Sequence, residues 1–294
     1  MPKPPEPNPK LPFTVLHADH DILVVDKPAG QVSEPGIGHR NDSLLNAAFT
    51  THGKWLNNLG EERDWGLLHR LDKPTSGAMV LALKIDAYAR LREQFENQKI
   101  DKQYLAVASG HPRTIAGVCQ APLAEVRVGN RKLVRLRPDG QRAITAWSTL
   151  ATSPQGTLVL ARPKTGRLHQ VRAHLAHIGC PLLGDELYDR SRGAGTRPTP
   201  NRVAARSIEH AKKLLRQRSI AGNAPRPAGQ WPLMLHSWKL SFIHPSTQHR
   251  VSYTAPVPLW FLKAAKRAGL DVTGALPSDT PDPAESPVPP EADA

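Results

Sequence analysis

The sequence predicts an α+β domain, with a mixed, mostly antiparallel sheet flanked by helices and loops. Three observations carry that expectation. Short β-rich runs outnumber helical stretches along the chain. Successive strands are separated by turn signals more often than by crossover helices, which favours hairpins over β-α-β units. The chain has 294 residues, 39% of them apolar, enough to bury one sizeable core.

Each element has its own local warrant. Residues 13–17 and 22–26 are β-rich runs separated by Ala18-Asp-His-Asp, which reads as a hairpin closed by Lys27-Pro-Ala-Gly. Residues 43–51 read as a short helix capped by Asp42 or Ser43. Residues 78–84 form an apolar strand, and 86–98 an amphipathic helix with Ala87, Leu91 and Phe95 spaced four apart. Strands follow at 104–108, 143–150 and 157–161. A helix at 168–178 is closed by Gly179, a residue suited to the left-handed position after a helix. Strands at 233–243 and 250–254, around the turn His244-Pro-Ser-Thr-Gln, complete the reading. No internal repeat is present.

Charge divides the chain. Lys and Arg number 39 against 26 Asp and Glu, a net +13 and a pI near 10. The last 24 residues hold six acids and no Lys or Arg, so residues 1–270 carry the 39 basic side chains against only 20 acidic ones. Six prolines crowd residues 1–12 and six more crowd 277–290. Residues 1–12 and 271–294 are therefore expected to be disordered tails around a body at 13–270, having too little apolar content to offset ordering entropy. Within the body, residues 190–230 hold ten basic side chains and one acid, with a helix-forming centre at 203–220 between loop signals. A second basic stretch, 127–142, holds six basic residues and one acid and could flank the same groove. Such density suits phosphate contact, in which neutralised phosphates release counterions. No run approaches the roughly 18 apolar residues of a membrane helix. The start lacks a secretory apolar region, and Cys119 and Cys180 form no C-x-x-C pair. These features lead to the expectation of a soluble cytoplasmic protein.

Two polar clusters could carry chemistry. His69-Arg-Leu-Asp-Lys-Pro-Thr-Ser-Gly77 lies between apolar runs, its turn set by Pro74 and by Gly77. A loop held between core segments and carrying His, Arg and Asp is a plausible way to present an active site, although Asp72 could equally just cap the turn. Lys164-Thr-Gly-Arg-Leu-His-Gln-Val-Arg-Ala-His-Leu-Ala-His177 feeds a glycine-containing turn into a helix bearing Arg167, His169 and Arg172, an anion-friendly arrangement. His169, His174 and His177 raise the question of a metal. They lack carboxylate or thiolate companions at ligand spacing, so core or surface histidines are expected and no metal site.

At these motifs the sequence resembles the RluA-type family of RNA pseudouridine synthases. His69-Arg-Leu-Asp-Lys-Pro-Thr-Ser-Gly is similar to the family's H-R-L-D-x-x-T-S-G loop. Residues 165–185, Thr165-Gly-Arg-Leu-His-Gln-Val-Arg through Gly184-Asp185, are similar to its second signature. Weaker blocks at Ile22-Leu-Val-Val-Asp-Lys-Pro-Ala-Gly, Lys102-Gln-Tyr-Leu-Ala-Val and Leu235-His-Ser-Trp-Lys-Leu-Ser-Phe fall in the same order. The resemblance implies a single catalytic domain that isomerises uridine to pseudouridine in structured RNA, tRNA or large-subunit rRNA, by base flipping. Asp72 would be its nucleophile, and Arg172 would pair with Asp72 and favour its carboxylate form. Tyr104 would stack on the flipped uracil. Arg70, His69 and Arg167 would contact RNA or fill the vacated stack, with His69 and Thr75 also shaping the loop. The isomerisation requires no cofactor. RNA would be the partner of a monomer needing neither a membrane nor another protein. The family's small N-terminal RNA-binding domain has no room in residues 1–12, and 190–230 looks like a longer link than usual. Two other readings compete: a catalytically silent RNA-binding or RNA-chaperone protein on the same fold, and a glycosidase, which would need a second catalytic carboxyl.

Overall fold

The computed structural model describes residues 3–129, 131–189 and 231–277. Eleven strands and four α-helices are found among them. Strands β1 (Thr14–Ala18) and β2 (Ile22–Lys27) form the expected hairpin, its turn held by Asp19 Oδ1, which accepts from the backbone amides of Asp21 and Ile22. Helix α1 (Leu44–Leu59) follows, then a 3₁₀ turn (Glu61–Gly66), β3 (Ser76–Ala82), α2 (Ile85–Glu96) and β4 (Asp101–Ala108). Next come β5 (Ala116–Cys119), β6 (Leu123–Val128), β7 (Arg131–Leu136), β8 (Thr145–Ser153) and β9 (Gly156–Pro163). Helix α3 (Gln170–His177), β10 (Leu235–Ile243), β11 (Arg250–Thr254) and α4 (Leu259–Arg267) complete the order.

Nine strands form one sheet in the order β1-β2-β3-β10-β4-β9-β8-β5, with β11 also paired to β10. Every pairing is antiparallel except β3 with β10, which is parallel and only two residue pairs long, His236 with Ser76 and Ser237 with Gly77. The sheet is thus mixed and mostly antiparallel, as expected. At the short parallel contact the backbones approach so closely that a Cβ on Gly77 would lie 2.1 Å from the Ser237 carbonyl oxygen. Gly77 also adopts φ +116, which only glycine takes freely. Ser237 is in turn paired with Tyr104, and Tyr104 with Ala161. Gly77, Ser237, Tyr104 and Ala161 therefore stand in one row across four strands.

One face of the sheet packs α1 and α3 through Leu45, Leu56, Met79, Ala106, Val171 and Leu175. Other buried clusters seat α4 on Leu105, Leu158 and Trp238, and gather Leu91 of α2 with Ile22, Val80 and Leu240. Helix α1 runs well past the expected end at residue 51. Ser43 and Asn46 cap it reciprocally, and burial of Leu56 and Leu59 carries it through Thr50, Thr51 and Gly53. Strand β5, the β6–β7 hairpin and α4 were not anticipated, and that hairpin carries much of the basic stretch 127–142. Helix α3 starts after residue 168, because His169 takes a left-handed φ of +49 in front of it.

The tail boundaries also differ from expectation. Residues near the start form neither helix nor strand, yet they are fastened to α1. Asn8 donates its backbone amide to the Asn46 carbonyl (3.0 Å), and Asn46 Nδ2 donates to the Glu6 carbonyl (2.8 Å). Polar anchoring of this kind is invisible to a count of apolar residues. At the other end Val272 is buried beside Leu270, so packing continues past residue 271. The expected helix at 203–220, the rest of 190–230 and residues 278–294 lie outside the described residues.

Candidate active site

The His69–Gly77 loop is knitted to the chain on both sides. The Ser33 hydroxyl accepts from the Leu71 amide (3.1 Å) and donates to the Leu71 carbonyl (3.0 Å), while the Gly30 amide donates to the Lys73 carbonyl (2.7 Å). The Thr75 amide donates to the Asp72 carbonyl (2.9 Å), closing the turn that Pro74 favours. Beneath it lies Lys27, fully buried at the end of β2. Its ammonium donates to the carbonyls of Gln31 (2.7 Å) and Pro28 (3.0 Å). Burial pulls this lysine down to about 7, against the opposing attraction of Asp72 and Asp26.

The Asp72 side chain, 20% exposed, meets α3 in space although the two are 100 residues apart in sequence. Arg172 Nη1 donates to Asp72 Oδ2 at 2.9 Å. The same guanidinium forks onto Asp185, Nε to Oδ2 at 2.8 Å and Nη2 to Oδ1 at 2.9 Å. Against the cost of burial, Asp185 and Asp72 hold the Arg172 charge and raise its pKa further. A planar cation can serve two carboxylates in this way, whereas an ammonium could not match the fork. His169 Nε2 lies 3.7 Å from Asp72 Oδ2, and its Nδ1 is 2.9 Å from the Tyr188 hydroxyl. The Tyr188 oxygen accepts from the Val134 amide (3.1 Å), leaving its proton free for His169 Nδ1, so the neutral imidazole turns an N–H toward Asp72. Burial lowers the His169 pKa, with Asp72 pulling the other way.

Tyr104 lines the same region from β4. Burial pushes its phenol up to about 12; a hydrogen bond with Ser237 lowers it and the nearby Asp72 charge raises it. It therefore stays protonated through the neutral range. Asp185 cannot be a second reactive carboxyl. It is wholly buried, and its oxygens already accept from Arg172 and from the amides of Leu187 (2.9 Å) and Tyr188 (3.2 Å). Of the two carboxylates that Arg172 holds, Asp72 alone is left partly exposed, so this pair does not serve as the two catalytic carboxyls of a glycosidase.

Of the six residues expected at the site, Asp72, Arg172 and Tyr104 are brought together. The other three are held elsewhere. Arg70 turns outward to Glu34 on an exposed rim. His69 is part-buried, stacked on Phe95, and accepts from the Val80 amide (3.1 Å); burial, aided by Lys102, drops it to about 3, so it is neutral. In that position its Nε2 is committed to the β3 backbone, which ties the loop to the sheet. Arg167 is exposed and donates from Nε to the Arg142 carbonyl (3.2 Å). Lys27, Asp185 and Tyr188 are not singled out by the sequence, and His169 enters there only as part of an anion-friendly cluster and as a candidate metal ligand. Lys27, His169 and Asp185 lie inside the motifs, but no sequence signal points to Tyr188.

The histidines do not converge as ligands. Both nitrogens of His174 are engaged, by Thr145 Oγ1 and the Ala121 carbonyl. Among the described residues, only Asp19, Asp21 and His244 bring ligand atoms together. There His244 Nδ1 accepts from the amides of Ser246 and Thr247, which keeps the proton on Nε2, the nitrogen facing Asp19 (3.0 Å). Lys84 lies 3.0 Å from Asp21. The cluster is a hydrogen-bonded latch between two turns.

A partly exposed carboxylate held by a guanidinium beside a phenol, on so basic a protein, fits an enzyme whose substrate is a nucleic acid. Comparison with known proteins makes this specific. Residues 21–177 match the family described as RNA pseudouridylate synthase. The chain is 34% identical over 260 residues to ribosomal large subunit pseudouridine synthase D of Zymomonas mobilis, covering 88% of this chain and 74% of that one. It is 35% identical to the protein of the same name from Haemophilus influenzae, covering 84% and 68%. Among solved structures it is similar to human RNA pseudouridylate synthase domain containing 4, with a TM-score of 0.59, 26% identity and coverage of 88% and 94%. The chain belongs to the RNA pseudouridylate synthase family and is an RNA pseudouridine synthase, an isomerase. No helix among the described residues is long and apolar enough to cross a membrane.

Proposed function

We propose that this chain converts uridine to pseudouridine in large-subunit ribosomal RNA, with Asp72 as the nucleophile. The observation that carries the reading is the Arg172 guanidinium, locked on Asp185 and aimed at Asp72 Oδ2 from 2.9 Å. It favours the carboxylate form and fixes its direction. The substrate is taken from the names of the relatives in Zymomonas mobilis and Haemophilus influenzae.

The carboxylate attacks either the sugar C1′ or the uracil ring, and the N-glycosidic bond breaks. The base rotates, C5 bonds to C1′, the bond to Asp72 breaks and returns the free carboxylate, the C5 proton leaves and N1 gains a proton. Atoms balance without redox change or net hydrolysis. The uridine must leave its stack to reach Asp72. Tyr104, protonated in the neutral range, offers its ring face to the flipped base and its hydroxyl as a hydrogen-bond donor. Arg70 and Arg167, exposed on the rim, contact phosphate or fill the vacated stack, and the basic β6–β7 hairpin extends the same surface.

Pseudouridine mapping by carbodiimide modification and primer extension, with and without the gene, tests substrate and activity together. One or more large-subunit sites should disappear on deletion and return with the wild-type chain but not with Asp72→Asn, which should still retain RNA. Full activity of Asp72→Asn would overturn the nucleophile assignment. Loss of transfer-RNA sites alone would overturn the substrate.

A further inference from the structure

The loop that precedes α1 presents an apolar side chain with nothing to cover it. Ile37 is fully exposed, a poor place for an isoleucine on thermodynamic grounds. Its backbone is nonetheless closely held. The Gly36 amide donates to the His39 carbonyl and the His39 amide to the Gly36 carbonyl, both at 2.9 Å, closing a two-residue turn with Ile37 at its tip. Gly38 takes the positive φ, +79, that the second turn position demands. Below the tip, His39 Nδ1 pairs with Asp42 (2.7 Å), and Asn8 Nδ2 donates to the Asn41 carbonyl (2.7 Å).

The other limb of the loop is tied to the catalytic segment. Ser33 exchanges hydrogen bonds with the Leu71 backbone, next to Asp72, and Glu34 pairs with Arg70. Ile37 lies three residues beyond Glu34 and four beyond Ser33. Its backbone is therefore at most about 10 Å from that of Glu34, which holds Arg70, and about 14 Å from that of Ser33, which holds Leu71, at roughly 3.4 Å per residue. A shallow cleft lined by Glu34, Leu68, His69 and Arg70 opens at the foot of the loop. Arg40 is exposed on its far limb.

We propose that Ile37 is a stacking wedge, inserted between bases of the RNA beside the uridine that is flipped toward Asp72. An apolar side chain entering a base step unstacks it and lowers the cost of extruding a neighbour. Arg40 and Arg70 flank the wedge as phosphate contacts. A wedge must be exposed in the free protein, held on a stiff tip and anchored to the reacting segment, and Ile37 meets all three conditions. The inference uses the family's RNA substrate and rests on the reading that Asp72 marks the reacting centre.

Two measurements test it. Ile37→Ser should raise KM for folded large-subunit RNA by about tenfold, the scale of one partly buried isoleucine, with kcat little changed and Ile37→Leu restoring the wild-type value. Cys119 and Cys180 are buried, so in Ile37→Cys an azidophenacyl label goes to residue 37 alone. Photolysis with total cellular RNA should then crosslink residue 37 to bases, and mapping should place the crosslinks next to a pseudouridine site. An unchanged KM in Ile37→Ser, or a label that reaches protein or sugar-phosphate but no base, would overturn the wedge. The crosslink does not depend on turnover, so a failed Asp72 assignment and a failed wedge give different results.

Discussion

Arg172 is shared between two carboxylates, and the two are not equivalent. Replacing Asp185 by Asn keeps the size of the side chain but removes the charge that takes two of the three guanidinium contacts. Asparagine offers one oxygen, already wanted by the Leu187 and Tyr188 amides, and turns an NH₂ toward the other guanidinium N–H. The fork is almost dry, with side-chain exposures of 6% for Arg172 and 0% for Asp185. Breaking such a buried pair costs about 3–5 kcal/mol. Asp72 remains at 2.9 Å as a partial counter-charge, so the loss should be about 2–4 kcal/mol. Asp72→Asn leaves the fork intact at a site already 20% exposed, and should change stability by no more than about 1 kcal/mol. Urea unfolding followed through the six tryptophans, with circular dichroism as a second probe, measures both. In Asp185→Asn the guanidinium is free to turn, and pseudouridine formation should fall by about 10²-fold, the scale of an ångström of misplacement. An Asp185→Asn protein with a wild-type unfolding midpoint and full activity would refute the account of the fork.

Two further outcomes follow from buried groups near the loop. Lys27 has its folded pKa lowered from 10.5 to about 7. Between those values the unfolded chain holds the proton and the folded chain does not, so the lysine's contribution to stability rises with pH from about 7 to 10.5. Lys27→Met should flatten that rise in parallel urea titrations; an identical slope would remove Lys27 as its source. His69→Ala leaves the Val80 amide without its acceptor and should cost about 1–3 kcal/mol, while RNA affinity measured by filter binding stays unchanged. A weakened affinity with intact stability would return His69 to the RNA surface.

Much of the fold was legible because its signals are local. The β1–β2 hairpin, β3 and α2 follow from alternation, apolar runs and four-residue spacing, each settled within a dozen residues. What was missed depends on partners far along the chain. Helix α4 follows Pro256 and Pro258 and carries Lys263, Lys266 and Arg267, so it reads as loop until Phe261, Ala264 and Ala265 are seen to cover Trp238 and Leu158. The β6–β7 hairpin looked only like charge, because its apolar residues face a small cluster with Ala173 of α3. Helix α1 outran its expected end for the same reason, since its last turns are stabilised by burial against propensity.

The site divides along the same line. Asp72 and Arg172 stood in separate motifs, and no spacing rule joins residues 100 apart; only the resemblance paired them. Asp185 sat at the end of the second motif, yet its importance appears only when Arg172 is seen to have one guanidinium for two carboxylates. The geometry gives the division of labour a physical reason. A saturated, buried Asp185 immobilises the cation at the expense of its own reactivity, and the cation's remaining edge orients a carboxylate left open enough to meet a substrate. Gly77 supplies the other half of the arrangement. Because it has no side chain, β3 can press against Ser237, which places the loop carrying Asp72 at the level of Tyr104 in the next strand. The shortest pairing in the sheet, two residue pairs of parallel strand, is thus what sets the Asp72 loop beside the phenol, and neither side chain needs to be moved by the fold once that contact forms.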